Sequence, residues 1–275
     1  MQLRVINTGN FKLDGGAMFG VVPQSIWKKL NPPDSNNMCS WAMRCLLVED
    51  GNRLILIDNG IGSKQSEKFF SFYYLHGEDS LEKSLYQAGL HYNDITDNFL
   101  THLHFDHCGG GISNVGEKLT TTFPQATYWT DQQHWQWATN PNPREKASFL
   151  KENMLPMQQS GQLAWAEQPL TPNFDFIKVN GHTENMMLPL ISYKSRKILF
   201  CADLFPSAAH IPLPYVMAYD VRPLLTMQEK TELLHRAATE NWVLFFEHDP
   251  HIECATVQLT DQGVKLHETF PLSAI

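Results

Sequence analysis

The chain has 275 residues, of which 43% are hydrophobic, and its formal net charge at pH 7 is −8. A chain of this length can bury a large core, so we expect one compact domain over residues 1–275 rather than a disordered or fibrous protein. The negative charge, which no lysine or arginine cluster interrupts, disfavours nucleic acid as a partner because its phosphates would be repelled.

The beginning of the chain has no basic segment followed by an apolar one, and no apolar run approaches the roughly 18 residues of a membrane span. We therefore expect a cytoplasmic protein without a membrane partner. The five cysteines are scattered and include no C-x-x-C pair, which fits a reducing compartment better than a disulfide framework.

The first sixty residues predict strands. Apolar and alternating patterns indicate strands over 3–6, 17–22, 41–49 and 53–58. Turn formers at 50–52 join the last two strands into a hairpin. The glycine-rich stretch 14–23 lacks the Lys and Ser/Thr of a phosphate-binding loop, and we interpret it as a tight hairpin whose Met18 and Phe19 lean over the site.

Two helices are predicted from capping-box spacing. Asp79 and Glu82 indicate a helix that begins near Asp79 and stops before Gly89. Thr226 and Glu229 indicate a second one, with an apolar face that leads into the last strand.

Two aromatic-rich segments are harder to interpret. Residues 131–169 mix tryptophans with prolines and predict a helical insertion, which serves either as a lid over the site or as ordinary core packing. Residues 62–78 are bracketed by glycines and fit a flap, a contact in a homodimer, or core.

The stretch 101–110 carries the chain's strongest functional signal. It reads Thr-His-Leu-His-Phe-Asp-His-Cys-Gly-Gly and follows the apolar end of a predicted strand. His102 and His104, at i and i+2, would leave the strand on the same side and could hold one ion. Asp106 and His107 fall where a turn should begin and could hold a second. We interpret Cys108, next to them, as a small turn residue rather than a ligand.

Further ligand-type residues each follow an apolar, strand-like segment: His182, Asp203 and His248. The repetition suggests one sheet edge that carries one site. His251 is an alternative to His248, but His248 directly ends the apolar run and is preferred.

The order His-x-His-x-Asp-His, Gly-His-Thr, an Asp after a strand and a late His resembles the metallo-β-lactamase superfamily, from Asp58 to His248. The resemblance implies an α/β (α+β) fold, a four-layer αββα sandwich of two mixed β-sheets flanked by helices. It also implies two groups of metal ligands that share Asp203 as a bridge. These are His102, His104 and His182 for one ion, and Asp106, His107 and His248 for the other. Asp58 is expected to brace a ligand histidine.

What the resemblance implies for chemistry is hydrolysis of a small-molecule substrate. Two divalent ions, zinc first with manganese, iron or cobalt as alternatives, would share a hydroxide that attacks a small ester, lactone or phosphotriester. Asp106 would accept or shuttle the proton. Two alternatives stay open: a mononuclear iron oxidoreductase of the persulfide dioxygenase type, and a non-catalytic metal-stabilised fold.

Within the superfamily, the N-acyl-homoserine lactonase and methyl parathion hydrolase branch looks most similar. Those lactonases carry a tyrosine three residues after the bridging Asp, where this chain has Pro206. Because proline has no side-chain donor, a lactonase would need another one, for which Tyr215, Tyr219 and His210 are the candidates.

Overall fold

The computed structural model describes residues 1–275 and contains two six-stranded sheets and a small hairpin. In chain order the strands are β1 (Gln2–Asp14), β2 (Met38–Asp50), β3 (Arg53–Ile57), β4 (Asp97–Phe99), β5 (Ile112–Val115), β6 (Lys118–Thr121), β7 (Thr127–Thr130), β8 (Leu163–Trp165), β9 (Phe174–Val179), β10 (Met186–Tyr193), β11 (Arg196–Phe200), β12 (Val243–Phe245), β13 (Cys254–Thr260) and β14 (Gly263–Phe270). The α-helices are α1 (Gly15–Phe19), α2 (Gln24–Trp27), α3 (Glu67–Phe70), α4 (Leu81–Gln87), α5 (Phe105–Cys108), α6 (Gln132–Thr139), α7 (Lys151–Gln159) and α8 (Pro223–Thr239). Short 3-10 turns lie at Tyr92–Asp94, Gly109–Gly111, Ala208–His210 and Leu272–Ala274.

Both large sheets are mixed. The first has the order β1-β2-β3-β4-β7-β8, antiparallel up to β3 and parallel from β3 onward. The second has the order β14-β13-β12-β11-β10-β9, in which only β11 and β12 run parallel. Strands β5 and β6 form the separate hairpin.

The sheets pack face to face between helices, as the alternation of side chains in β2 shows. Leu46 and Val48 point into the core shared with the second sheet, while Cys45 and Leu47 point to the layer formed by α4, α6 and α7. Helix α8 packs on the other side of the second sheet, against β13. Successive side chains of a strand face opposite ways, so a strand buried on both faces reads as a continuous apolar run. The predicted four-layer fold class is confirmed.

Several predicted elements differ from the structure. Residues 17–22 were expected as a strand, but Asp14 accepts a hydrogen bond from the Ala17 N–H and starts helix α1 there. Helix α4 is capped by the Ser80 hydroxyl rather than by Asp79, because Ser80 accepts from the Lys83 N–H. Helix α8 begins at Pro223, before the expected Thr226, since proline suits the first helical turn.

The region 131–169 is not purely helical. It contains α6 and α7, but it also contains β8, so the two helices form the crossover between the parallel strands β7 and β8. Most of its apolar side chains are core, among them Trp135, Phe149, Met154 and Met157. In segment 62–78, Phe69 and Tyr73 pack on Phe105, whereas Phe72 is 61% exposed.

Strand ends place the functional residues. His102 and His104 were expected to lie on the strand itself. The strand β4 stops at Phe99, however, so both histidines lie in the segment that follows the strand. The segments after β9, β11 and β12 carry the other candidates. Ala202, directly before Asp203, has φ of 41°, a left-handed conformation that side chains other than glycine seldom adopt. No helix in the structure is long and apolar enough to cross a membrane.

Candidate metal centre

The structure brings all seven predicted ligand residues into one buried cluster. Each residue is less than a tenth exposed, from fully buried His102 to Asp106 at 8%. The ligand atoms fall into two close groups, one of four residues (His102, His104, His182, Asp203) and one of three (Asp106, His107, His248). The structure therefore separates the residues into the two sets that the sequence motif predicted.

In the first group, the nitrogens surround one point. His104 Nδ1 lies 3.1 Å from His102 Nε2 and 3.1 Å from His182 Nε2. Asp203 Oδ2 lies 3.1 Å from His182 Nε2 and 3.8 Å from His102 Nε2. Separations of this size are those of atoms that share one ion at metal–ligand distances of about 2.0–2.2 Å.

The second group uses the other oxygen of the same aspartate. Asp203 Oδ1 lies 3.1 Å from His248 Nε2 and 3.5 Å from His107 Nε2, while those two nitrogens are 3.2 Å apart. Asp106 Oδ2 lies 3.8 Å from each of the two histidine nitrogens. Asp203 thus presents one oxygen to each group, which is the geometry of a bridging carboxylate.

The cluster fits divalent metal ions. Asp203 Oδ1 is buried and has no hydrogen-bond partner, and such an atom needs a cation or donor to offset its lost hydration. Burial disfavours the protonated form of His182, but the negative charges of Asp203 and Asp220 outweigh this effect and raise the pKa of His182 to about 10. Likewise, Asp203 and Glu247 overcome burial and raise the pKa of His248 to about 9. The carboxylates therefore attract positive charge to a site whose nitrogen and oxygen donors suit zinc or a similar ion.

Asp58 occupies the bracing position predicted for it. Its Oδ2 accepts from His107 Nδ1 at 3.0 Å and from the Thr101 hydroxyl at 2.7 Å. The same hydroxyl lies 3.0 Å from His102 Nδ1, so one carboxylate orients a histidine from each group. Glu247, missed in the sequence, lies 3.1 Å from His107 Nδ1 on the same side as Asp58. These carboxylates face the nitrogen of His107 that points away from the site.

Two further carboxylates brace ligand histidines. His182 Nδ1 donates to Asp220 Oδ1 at 2.8 Å. Glu145 Oε1 lies 3.6 Å from His104 Nε2 and accepts from the Thr183 hydroxyl at 2.6 Å. Burial raises the pKa of Glu145, but the nearby His104 imidazole and the hydrogen bond from Thr183 outweigh this effect and lower the pKa to about 2.

Little in the sequence marks Asp220 and Glu145 as functional residues. They lie 38 and 41 residues from the histidines they brace, in loops without a motif. Glu247 does carry a signal, because it is an acidic residue at the end of the apolar run before His248. His248 Nδ1 donates to the Ala42 carbonyl at 2.7 Å, which leaves Nε2 facing the site, whereas His251 is exposed.

Helix α8 holds the turn that carries His182. Glu229 accepts from the Asn180 N–H at 2.7 Å and from the Gly181 N–H at 3.0 Å. A Cβ on Gly181 would lie 2.3 Å from Thr226 Oγ1, so only glycine lets the helix approach this closely. The expected capping partners Thr226 and Glu229 therefore contact the His182 turn instead of capping the helix.

A cavity of about 320 Å³ opens over the cluster. Its floor includes His104, Asp106, His182, Asp203 and His248. Its wall comes from β1, α1, α5 and several loops. It is mostly apolar or aromatic but also holds an arginine, a glutamate and a serine: Leu13, Met18, Tyr73, Phe105, Arg144, Glu145, Ala147, Ser148, Met217, Ala218 and Tyr219.

The three candidate replacements for the missing tyrosine have different positions. Tyr219 lines the cavity and is 38% exposed. Tyr215 packs edge-on against Phe19 and does not line the cavity. His210 is buried, stacks on Phe19 at 4.7 Å and uses its ring nitrogens toward Ser207 and the Met18 carbonyl.

Pro206 has a structural contact of its own, because its carbonyl accepts from the His248 N–H at 3.0 Å. Tyr73, from segment 62–78, is a second phenol in the cavity wall that the sequence did not single out.

Comparison with known proteins gives the following matches. The sequence model of the metallo-beta-lactamase superfamily matches residues 44–112. Among proteins with curated functions, none matches the sequence. A probable metal-dependent hydrolase from Staphylococcus aureus is 27% identical, with 98% of this chain and 96% of that chain covered and a TM-score of 0.88.

Two more solved structures share the architecture at lower identity. AidC, a dizinc quorum-quenching lactonase in complex with a product, N-hexanoyl-L-homoserine, is 22% identical, with 98% and 95% coverage and a TM-score of 0.80. AbOPH, a hydrolase in the beta-lactamase superfamily, is 21% identical, with 96% and 93% coverage and a TM-score of 0.78. The structural matches span nearly the whole chain, whereas the family model covers the stretch that includes residues 102–107.

Proposed function

Because the chain has the metallo-β-lactamase fold, we propose that it is a dinuclear metal-dependent hydrolase of a small ester, lactone or phosphotriester. The observation that carries this proposal is the pair of ligand groups that share Asp203, with one carboxylate oxygen turned toward each. A structural zinc site is normally closed and tetrahedral, whereas this cluster opens into a cavity. That contrast favours catalysis over a purely stabilising role for the metals.

Under this proposal, His102, His104 and His182 hold one divalent ion, and Asp106, His107 and His248 hold the other. Zinc is the first choice because imidazole and carboxylate donors suit it, with manganese, iron and cobalt as alternatives. Two such ions, when bound, supply Lewis acidity and lower the pKa of water at the site toward neutrality. A mononuclear iron oxidoreductase would need only one group, and the complete second group therefore supports the two-ion hydrolase.

The chain's own residues supply orientation and proton transfer. Asp106 belongs to the second group and also lines the cavity, so its carboxylate can accept a proton from the attacking water and pass it to the leaving group. Asp58, Asp220 and Glu145 keep three histidines in the orientation and tautomer that binding requires. Tyr73 and Tyr219 offer phenol donors to the oxygen on which charge develops.

The cavity supports a small and largely apolar substrate. A volume of about 320 Å³ is at the lower end for sites that enclose a small molecule. Its wall is mostly apolar or phenolic but also includes Arg144, Glu145 and Ser148, and its floor consists of histidines and carboxylates. A nucleic acid would meet the net charge of −8, and we propose none as a partner. We further propose that residues 1–275 act as one domain, because both large sheets supply ligand residues.

The test combines elemental analysis with turnover. The protein is purified without added metal, and its metal content is measured beside hydrolysis of an aryl ester, an acyl lactone and a phosphotriester. We expect about two ions per chain and turnover of at least one substrate, abolished by chelation and restored by zinc. A protein that holds one iron, and hydrolyses none of the three after it is loaded with zinc or manganese, would contradict the proposal and favour the oxygen-dependent alternative.

A further inference from the structure

Lys230 on α8 is an ammonium group enclosed by main-chain oxygens. The side chain is fully buried, and four carbonyls lie within hydrogen-bond distance of Nζ and share its three N–H donors. The distances are 2.6 Å to His210, 2.8 Å to Tyr215, 3.0 Å to Pro212 and 3.4 Å to Leu213. All four acceptors belong to one short stretch of chain, so a single side chain gathers that stretch around itself.

The position of Lys230 is one where an apolar residue would be expected. The buried face of α8 consists of residues at helical spacing, and Lys230 is the only charged one among them: Thr226, Lys230, Leu233, Leu234 and Ala237. A buried ammonium is unfavourable unless dipoles or charges replace its hydration. Here the carbonyls do so, together with the Phe205 ring 5.9 Å from Nζ. Burial lowers the pKa of Lys230 to about 7, the direction expected for an ammonium group removed from water.

The gathered stretch leads directly into the cavity. We define the wall loop as residues 207–219, which follow the bridging candidate Asp203 and end with Met217, Ala218 and Tyr219 in the cavity wall. The next residue, Asp220, braces His182. The far end of the wall loop is tied elsewhere, since the Ala218 N–H donates to the Ala17 carbonyl at 2.8 Å. Lys230 contacts the middle of the wall loop, residues 210–215, next to the His210 contact with the Met18 carbonyl.

We propose that Lys230 is a positioning residue that fixes the wall loop and thereby sets the shape of the substrate wall. The proposal rests on the proposed hydrolase function for its kinetic part only. If Lys230 merely filled space, a methionine of similar length and helix propensity would serve as well. The carbonyls left without a donor would then have no effect on the loop.

The experiment compares Lys230→Met with wild type and with Arg236→Met. Arg236 is a matched control because it is a cation on the same helix, but it is 38% exposed in its side chain and pairs with Glu240. Hydrogen exchange followed by mass spectrometry would report on the wall loop, with metal content and steady-state kinetics measured beside it. For Lys230→Met we expect at least about tenfold faster exchange in residues 207–216 and a KM raised by about fivefold or more. We expect kcat within about threefold of wild type and two ions retained, and no such changes in Arg236→Met.

Unchanged exchange and KM in a folded Lys230→Met would overturn the proposal, and so would equal changes in Arg236→Met. If Lys230→Met does not fold, the wild-type protein decides. Residues 207–216 should then exchange more slowly than the loop at 142–148, whose cation Arg144 is exposed, and equal exchange would overturn the proposal. Failure of the hydrolase proposal would appear as absent turnover in every variant, while the exchange result would still be informative.

Discussion

The floor and the wall of the cavity are built differently. The floor consists of the seven candidate metal ligands, which follow the ends of β4, β9, β11 and β12 and are all less than a tenth exposed. The wall consists of loop and short-helix residues, several of them exposed, such as Arg144, Ala218 and Tyr219. Strand ends fixed by two sheets give a geometry suited to metal, while loops can change without disturbing the sheets. We therefore expect the floor residues to determine the type of reaction and the wall residues to determine which substrate is accepted.

Two residues connect the regions. Glu145 and Asp220 lie on the loops that form the wall, yet each carboxylate faces a histidine of the floor. Arg144 joins the same loops by donating to the carbonyls of Ala218 and Asp220. The floor and the wall are therefore not independent of each other. Substitutions in each region can measure how strongly a change in one affects the other.

The largest effect is expected in the floor, from Asp203→Ala. Without the shared carboxylate, both ligand groups lose a donor, so we expect fewer than two ions per chain and a loss of turnover of about 10³-fold or more. Elemental analysis and kcat/KM on the best substrate of the panel check this. Asp261→Ala, at an exposed turn between β13 and β14, is the matched control and should change neither. A variant that kept two tightly bound ions and full turnover would show that the ligand assignment is wrong.

The next effect tests a wall residue that acts on the floor. Asp220→Asn keeps the shape of the side chain but removes the charge that favours the Nδ1–H form of His182. We expect metal affinity or turnover to fall by about 10- to 100-fold. Competition with a chromophoric chelator measures the affinity, and Asp175→Asn, exposed on β9, is the control. If metal affinity and turnover both stayed at the wild-type level, the wall would be independent of the floor.

A smaller effect is expected from the wall alone. Tyr219→Phe removes a hydroxyl group from the cavity and changes no candidate metal ligand. We therefore expect kcat/KM to fall by about 3- to 10-fold while the metal content is unchanged. Tyr215→Phe removes a phenol that packs on Phe19 outside the cavity and should have no effect. Tyr73→Phe shows which of the two cavity phenols matters more. Equal kinetics in Tyr219→Phe and wild type would remove Tyr219 as the substitute for the donor missing at Pro206.

The smallest effect concerns the support beneath the floor. His134 Nε2 accepts from the Leu103 N–H at 2.8 Å, between two ligand histidines, and burial lowers its pKa from 6.5 to about 4. In the unfolded chain the imidazole takes up a proton near pH 6.5, so unfolding binds protons and the free energy of unfolding falls as the pH drops through that range. His134 should account for about 0.7 kcal/mol between about pH 7 and pH 6.

Denaturant unfolding at the two pH values measures this contribution. His134→Gln retains an acceptor but does not titrate, so its stability should fall less between the two values. His235→Gln makes the same chemical change at an exposed position of α8 and should keep the wild-type pH dependence. An identical pH dependence in His134→Gln and wild type would contradict the prediction.

Sequence reasoning succeeded where the signal was local. The apolar runs before His182, Asp203 and His248 predicted strands, and a strand end is a defined place in a sheet. It failed where a residue's role depended on contacts elsewhere. The stretch 17–22 is an apolar run of the kind found in strands, but the Asp14 cap and the packing of Met18 and Phe19 place residues 17–19 in helix α1. Thr226 and Glu229 have capping-box spacing, but their side chains contact the His182 turn.

The sequence by itself indicated the fold class, through its resemblance to a known superfamily, and the candidate residues of the floor, because these lie in one short motif or directly follow apolar runs. It could not determine which carboxylates orient the histidines. Asp220 and Glu145 meet their partners across 38 and 41 residues of chain, and only the packing of both sheets and the crossover helices brings them together. The tertiary structure likewise decided the wall, because its residues come from segments that share no pattern and meet only when the loops close over the strand ends. Only the tertiary structure shows that Lys230 is buried within the apolar face of α8 and lies beside four main-chain carbonyls.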